Sequence, residues 1–245
     1  MNQYNGNGSI VQGAERGAIQ AFMANVYGWM SIGLLLTAFV AWYAVPSDMM
    51  SMESVVSSLA YRIGTNSTFM WGLVIAQLGV VFGLSFFVNR ISASVATGLF
   101  MLYSVLTGLT LSVLVFVYTA ESIASTLFIT AGTFGAMTVY GYVTKRDLTG
   151  IGNFLIMGLF GIILASVVNI FMKSSALTMA ISYIGVIVFV GLTAYDTQKL
   201  KNMGEQLSED DSEGYRKYAI LGALTLYLDF INLFIMLLRI LGDRR

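Results

Sequence analysis

The chain has 245 residues, 57% of them hydrophobic and only 11% charged, and its net charge is zero. A soluble domain carries about 25% charged residues, so this composition predicts an integral membrane protein. The absence of cysteine and histidine excludes disulfides, thiolate chemistry and the usual zinc ligands, and it leaves carboxylates, tyrosines and lysines to exchange protons. The chain has no Lys/Arg-rich run of the kind that would indicate nucleic-acid binding.

The amino-terminal segment, residues 1–17, is rich in Asn, Gly, Gln and Ser and is predicted to be a disordered tail. It lacks the basic n-region of a signal peptide, and the apolar segment after it lacks a small-residue cleavage site. We therefore predict that this apolar segment is retained as a helix. Residues 18–245 are predicted to form a single transmembrane domain.

Five charge-free windows have about the 20-residue length that crosses a bilayer. With the aspartate-bearing pair that follows them they make seven spans, which we number helix 1 to helix 7. The first five cover roughly Val26–Val45, Phe69–Asn89, Ser94–Tyr118, Ile123–Val143 and Asn153–Met172. Helices 6 and 7 lie between Leu177 and Leu241 and are joined by a short acidic loop. The weakest division separates helices 3 and 4, where Thr119, Ala120 and Glu121 alone interrupt a long apolar run. The pattern predicts an all-α bundle of seven transmembrane helices.

Small residues at four-residue spacing predict close contacts between helices. They are Ser104, Gly108 and Ser112 in helix 3, and Gly161 with Ala165 in helix 5.

The basic residues near the helix ends indicate the orientation of the chain. Of the 13 Lys and Arg residues, eight lie on the side of the amino terminus and the 2–3, 4–5 and 6–7 loops, and five lie on the other side. This bias predicts a cytoplasmic amino terminus and a carboxyl terminus outside. The basic carboxyl-terminal tail counts against it.

One aspartate lies inside each of the last two helices, Asp196 in helix 6 and Asp229 in helix 7. Asp229 is the only charge between Tyr218 and Leu238. A carboxylate at such a depth costs about 2.5–3.5 kcal/mol on insertion scales and tends to face the bundle interior or a wet cavity. The two aspartates therefore form a functional-site hypothesis. The alternative is that each merely hydrogen-bonds a neighbouring helix.

Small and polar residues share a helix face with each aspartate. They are Thr193, Gly185 and Ser182 beside Asp196, and Asn232, Thr225 and Gly222 beside Asp229. These stripes predict a narrow polar seam lined by Thr193, Thr225 and Asn232, with the two carboxyl groups within hydrogen-bond or one-water reach. Arg90, which follows helix 2 on the same predicted side, is either a positive-inside anchor or a partner of the aspartates.

The segments GLTAYDTQKL and LYLDFINLF resemble the signature of the Bax inhibitor-1 family, the transmembrane BAX inhibitor motif proteins. VYGWMSIGLLLTAFVAW and LTGLTLSVLVFVY…GTFGAMTVYGYVTKRDL resemble bacterial members, so the resemblance covers the chain from about Val26 onward. It implies a seven-helix bundle with helix 7 central, in the plasma (inner) membrane, and a pH-sensitive calcium leak rather than an enzyme. It also implies that Asp196 and Asp229 form a proton-sharing dyad on the calcium pathway, and that Arg90 latches onto them. No cofactor is expected, since calcium is the transported ion.

Two other functions stay open at this point. An intramembrane aspartyl protease would also use paired aspartates as acid and base. However, TLYLDF lacks the Gly-x-Gly-Asp of those enzymes, and no Pro-Ala-Leu follows because Pro46 is the only proline. The other possibility is a proton-coupled cation carrier. The expected partners are the lipid bilayer, calcium ions and protons, and the sequence names no protein partner. The acidic 6–7 loop either draws cations to the pathway or is simply solvated; its acidic residues are Glu205, Glu209, Asp210, Asp211 and Glu213.

Overall fold

A computed structural model describes residues 4–46, 48, 50–207 and 212–245, with the backbone alone before Gly17. Within these residues the chain is all-α, apart from one isolated bridge between Tyr118 and Arg244. A 3₁₀ turn, Ser112–Phe116, follows the fifth α-helix. The α-helices are α1 (Tyr4–Ala44), α2 (Met52–Ser57), α3 (Leu59–Thr65), α4 (Ser67–Phe87), α5 (Ala93–Leu111), α6 (Ala120–Val143), α7 (Thr149–Met172), α8 (Ser175–Gln206) and α9 (Ser212–Leu241).

Seven helices of the described chain are long and apolar enough to cross a membrane: α1 from Gly17, α4, α5 with its 3₁₀ turn, and α6 to α9. The prediction of an all-α membrane protein with seven spans is therefore confirmed. Predicted helices 6 and 7 correspond to α8 and α9. The weak division falls between Phe116 and Ala120, where the Thr119 hydroxyl accepts a hydrogen bond from the Ser122 N–H at 3.2 Å and caps α6.

The sequence predicts the carboxyl-terminal end of α1 but not its amino-terminal end. The helix ends at Ala44, as expected, because the residue before Pro46 is disfavoured from helical geometry. At the other end, residues 4–17 extend α1, whereas the sequence predicts a disordered tail there. Adding turns to a helix that is already nucleated costs little, which accounts for the extension. Residues 1–3 of the predicted tail lie outside the described residues.

Helix α9 is the most enclosed of the spans. In its most apolar window 61% of the residues are buried, against 11% to 39% in the other six spans. Its central place in the bundle stays a prediction. The chain divides into two compact units, and the prediction of a single domain likewise stays a prediction.

The first unit comprises Met1–Leu114 and Leu200–Leu224. Within it, α1 packs closely on α5. The Thr37 hydroxyl donates a hydrogen bond to the Ser104 carbonyl oxygen at 2.9 Å, and a Cβ on Gly108 would stand 2.6 Å from the Thr37 carbonyl oxygen. The close packing predicted for Ser104 and Gly108 is therefore confirmed.

The second unit comprises Val115–Lys199 and Thr225–Arg245. Here the small-residue prediction was wrong for Gly161, because a Cβ there would meet no described atom within 4 Å. Small residues at four-residue spacing mark a face that permits close approach, but they do not require a partner on that face. The chain end pairs with the connection before α6: the Thr119 N–H donates to the Asp243 carbonyl oxygen at 3.2 Å, and the Arg245 N–H donates to the Val117 carbonyl oxygen at 3.1 Å.

Candidate functional site

The second unit contains both intramembrane aspartates, Asp196 on α8 and Asp229 on α9. Their carboxyl groups are in hydrogen-bonding contact with each other. Asp229 is buried, with only 4% of its surface exposed, and Asp196 is half-buried. Two helices therefore bring together, inside apolar spans, two groups of which each alone is costly to bury.

The surroundings of the pair contain buried oxygen atoms with unused hydrogen-bonding capacity. Within the described residues, Asp229 Oδ2 and Thr197 Oγ1 are buried and have no hydrogen-bond partner. Thr197 directly follows Asp196 in the chain, and its residue surface is fully buried. An unpaired buried polar atom costs about 1–3 kcal/mol, so Asp229 Oδ2 favours the binding of a proton, water or cation at the pair.

Within the described part of the chain, two charged groups act on Asp196. Lys199, three residues further along α8, interacts with it electrostatically, and Asp229 contacts it from α9. Lys199 itself is exposed. The pair therefore has a buried member, Asp229, and a half-buried member, Asp196, that lies near a positive charge.

The polar side chains predicted to line the seam bond mainly to their own helices. Thr193 is fully buried, and its hydroxyl donates to the Phe189 carbonyl oxygen at 2.8 Å. The Asn232 amide donates to the Leu228 carbonyl oxygen at 2.8 Å. Thr225 is half-buried. Both bonds use a donor group, so the Thr193 hydroxyl oxygen and the Asn232 amide oxygen keep lone pairs that can accept a hydrogen bond or coordinate a cation.

The glycines of the two predicted stripes do not leave open space between α8 and α9, and the lining of a seam by Thr193, Thr225 and Asn232 stays a prediction. A Cβ on Gly185 would stand 2.9 Å from Met236 Cγ, so an apolar side chain fills that level of the α8–α9 contact. The space beside Gly222 is likewise occupied by Leu200, whose Cδ2 would lie 2.6 Å from an added Cβ. The glycines of both stripes serve close packing, because without a side chain they admit a large apolar neighbour.

The comparison with known proteins decides the family. The family described as "Inhibitor of apoptosis-promoting Bax1" matches residues 19–245. The chain belongs to the Bax inhibitor-1 family. It is 62% identical, over the whole of both chains, to the "Inner membrane protein YbhL" of Escherichia coli (strain K12). A protein of Borreliella burgdorferi is 49% identical over 91% of this chain and 92% of its own, and the protein RP147 of Rickettsia prowazekii is 44% identical over 93% and 91%.

In this Bax inhibitor-1 family member, Arg90 is exposed in the turn after α4. The neighbouring Asn89 Oδ1 accepts a hydrogen bond from the Tyr218 hydroxyl at 3.4 Å. Glu213 accepts one from the Ala93 N–H at 2.9 Å and forms an ion pair with Lys217 at 3.5 Å. The turn that carries Arg90 is thus held on both sides by the first turns of α9. A latch between Arg90 and the aspartates stays a prediction.

The acidic connection between α8 and α9 lies only partly in the described chain of this family member. Glu205 and Glu213 are described and exposed, whereas Glu209, Asp210 and Asp211 lie outside the described residues. A role of this segment in attracting cations therefore stays a prediction.

Sequence reasoning missed a group of residues that surround Asp196. The Gln198 side chain accepts a hydrogen bond from the Leu148 N–H at 2.9 Å and donates one to the Arg146 carbonyl oxygen at 2.9 Å. An added Cβ on Gly141 would overlap the backbone of Ala194, and one on Gly152 would overlap the ring of Tyr195. Nothing in the spacing of these residues indicates the contacts, since they join positions about 50 residues apart.

The donor set of the pair limits how it can bind calcium. Within the part of the chain that the structure describes, no three or more acidic residues lie together as a metal site. Calcium takes about six to eight oxygen ligands, and two carboxyl groups supply at most about four. In a Bax inhibitor-1 protein of this sequence, the chemistry of Asp196 and Asp229 fits a cation in passage better than a resident ion.

Proposed function

We propose that this protein is a pH-sensitive calcium leak channel, and that protonation of the Asp196–Asp229 pair gates it. The single observation that carries the proposal is the contact between two carboxyl groups inside apolar, membrane-length helices. Such a pair has no evident packing role, because apolar residues of similar volume would fill the same space at a lower cost. It is suited to exchanging protons and to offsetting the charge of a passing cation.

The pair is proposed to hold one proton near neutral pH. Two carboxylates at hydrogen-bond distance repel each other strongly in a medium of low dielectric constant, so one of them keeps its proton. The buried Asp229 is the favoured donor, and the half-buried Asp196, close to Lys199, is the favoured acceptor. The two groups then titrate as one unit that carries a single negative charge.

Gating follows from the loss of that charge. If Arg90 is the latch, its guanidinium holds the closed state through the negative charge of the pair, and a second proton releases it. Acidification and removal of Arg90 then shift the protein in the same direction, towards the open state. The second proton also removes negative charge that offsets part of the cost of dehydrating a divalent cation, so release of the latch is proposed to outweigh that loss.

The relatives support the place of action. The Escherichia coli relative is named an inner membrane protein and matches the whole chain. We accordingly assign this protein to the bacterial inner membrane as a multi-pass protein with lipid, calcium ions and protons as its partners. No catalytic step is part of the proposed function.

The test is calcium flux into liposomes that contain the purified protein, measured across pH. We expect flux down the calcium gradient that rises several-fold on acidification. Calcium movement against its gradient, driven by an imposed proton gradient, would identify a carrier instead. Peptide cleavage with no flux would identify a protease. Flux that is absent at every pH would refute the channel.

The orientation of the chain supplies a separate prediction. The bias of the basic residues predicts that the α8–α9 connection is in the cytoplasm and Arg245 is outside. Reporter fusions after Lys201 and after Arg245 should therefore report opposite sides of the membrane. If both report the same side, the number of spans that cross the membrane differs from seven.

A further inference from the structure

We propose that Gln198 is a positioning residue for Asp196, and that it couples the aspartate pair to the exposed loop between α6 and α7. This α6–α7 loop comprises residues 144–148. The proposal rests on the proposed function, because it makes the α6–α7 loop the exposed element that moves when the protonation of the Asp196–Asp229 pair changes. Its evidence is the set of contacts around one turn of α8.

The first contact is made by the side-chain amide of Gln198, whose oxygen and nitrogen both form hydrogen bonds with the loop. Its oxygen accepts the Leu148 N–H at 2.9 Å, and its nitrogen donates to the Arg146 carbonyl oxygen at 2.9 Å. Leu148 is the residue before α7, where it forms no side-chain cap. This is the N-cap position of the helix, where leucine is disfavoured because its side chain cannot accept a hydrogen bond from the first turn. Gln198 therefore fixes the start of α7 from a position on α8.

Two further contacts hold the same turn of α8. The backbone of Ala194 lies against Gly141 near the end of α6, and the ring of Tyr195 lies against Gly152 in the first turn of α7. Asp196 lies between these two residues and Gln198 in the chain. The end of α6, the loop and the start of α7 thus surround the turn that carries Asp196.

This arrangement couples the position of Asp196 to the position of the loop, and it does not act through the charges of the loop. The groups that act electrostatically on Asp196 are Lys199 on α8 and Asp229 on α9. The charged side chains of the loop, Lys145, Arg146 and Asp147, are all exposed. The link between the loop and Asp196 runs instead through the neutral amide of Gln198. A shift of Asp196 must break two hydrogen bonds or carry the loop with it.

Asp147 does not supply the pH response of the loop. Hydrogen bonds from the Thr149 side chain and backbone hold the pKa of the Asp147 carboxyl below its usual value, and the Thr149 N–H donates to its Oδ1 at 2.9 Å. The group therefore stays ionised at neutral and mildly acidic pH. A pH-dependent movement of the loop in that range must come from the aspartate pair.

The absence of cysteine in the chain permits a direct test with Leu148→Cys, which places a sole thiol at the buried position of the loop. The rate at which a maleimide labels this thiol in the purified protein is divided by the rate in the denatured protein at the same pH, because the reactive thiolate becomes scarcer on acidification. This corrected labelling rate reports the opening of the loop without any calcium measurement. In this background the labelling rate should rise several-fold on acidification. Asp196→Asn should abolish that rise, because the pair can no longer take up its second proton.

Gln198→Met preserves the length of the side chain and removes both hydrogen bonds. It should raise the labelling rate at neutral pH by roughly tenfold, and acidification should add little more, because two hydrogen bonds of ordinary strength change an opening equilibrium by about that factor. Gln198→Glu keeps the acceptor for the Leu148 N–H. It loses the bond to the Arg146 carbonyl oxygen, so it should label faster than the parent and more slowly than Gln198→Met. Labelling above the parental rate at neutral pH carries the test if Gln198→Met does not fold. Asn202→Met, which replaces an exposed amide one turn further along α8, is the matched control and should label like the parent.

A glutamine with a purely structural role would give a different result. Gln198→Met would then unfold at a lower temperature yet keep the parental pH dependence of labelling, and this outcome overturns the proposal. Labelling of Gln198→Met at the parental rate overturns it too. If wild-type liposomes show no calcium flux while labelling of the loop thiol behaves as expected, the channel function fails and the positioning role stands.

Discussion

Replacement of Asp196 or Asp229 by asparagine is expected to abolish the pH dependence of calcium flux. Asparagine keeps the size and part of the hydrogen bonding of aspartate but cannot exchange a proton. Since the two carboxyl groups contact each other and should titrate as one unit, either substitution should suffice. The ratio of flux at mildly acidic to mildly alkaline pH, several-fold in the wild type, should fall to about one in both variants.

The matched control for these variants is Asp147→Asn. Asp147 is exposed, and hydrogen bonds from Thr149 hold its pKa below the usual value. The sign is that of a depressed carboxyl pKa: any stabilisation by the charged form is present at neutral pH and is lost only when the pH falls through the lowered pKa. Asp147→Asn should therefore keep the wild-type profile of flux against pH. A wild-type profile in both Asp196→Asn and Asp229→Asn would move the search for the gate to the acidic connection between α8 and α9.

Arg90→Ala distinguishes a latch from a simple anchor within the same assay. Loss of a latch should raise flux at neutral pH towards its acidic level, while Asp196 and Asp229 remain titratable. Loss of an anchor should leave flux unchanged. If the substitution changes the orientation of the protein in the membrane and not the flux, Arg90 acts through the positive-inside bias.

The second large effect is expected from Gly141→Ala, which should lower the stability of the protein by about 1–3 kcal/mol. An added Cβ would overlap the carbonyl group of Ala194, and the backbone of α8 cannot rotate away as a side chain would. The helices α6 and α8 would have to separate at the turn next to Asp196. We expect a lower midpoint of thermal unfolding in detergent.

Gly135 on the same helix is the control for this substitution. A Cβ at Gly135 would meet no described atom within 4 Å. Alanine is favoured over glycine inside a helix by about 0.5–1 kcal/mol, so Gly135→Ala should leave the unfolding midpoint unchanged or raise it. Equal destabilisation by both substitutions would mean that contact with Ala194 is not what requires glycine at position 141.

The contrast between Asp229 and Gln198 shows how far sequence reasoning reaches into the site. Asp229 stands out because its charge is isolated in a long apolar segment, and the cost of burying that charge is a property of the residue and its neighbours in the chain. Gln198 carries no such signal. A glutamine near the end of a helix is ordinary, and its importance here comes from Leu148 and Arg146, which are 50 and 52 residues away.

The sequence by itself determined the membrane class, the seven spans and the presence of one acidic residue deep in each of the last two. These features follow from hydropathy, span length and charge, which can be read locally along the chain. Helical periodicity predicted which residues share a face with each aspartate. It could not specify what that face contacts, because seven apolar helices offer many partners of similar composition. Only the tertiary structure decided that Met236 and Leu200 fill the glycine positions of the predicted seam, and that the ends of α6 and α7 enclose the Asp196 turn. Such contacts depend on how helices distant in the chain approach each other, and local pattern does not encode that approach.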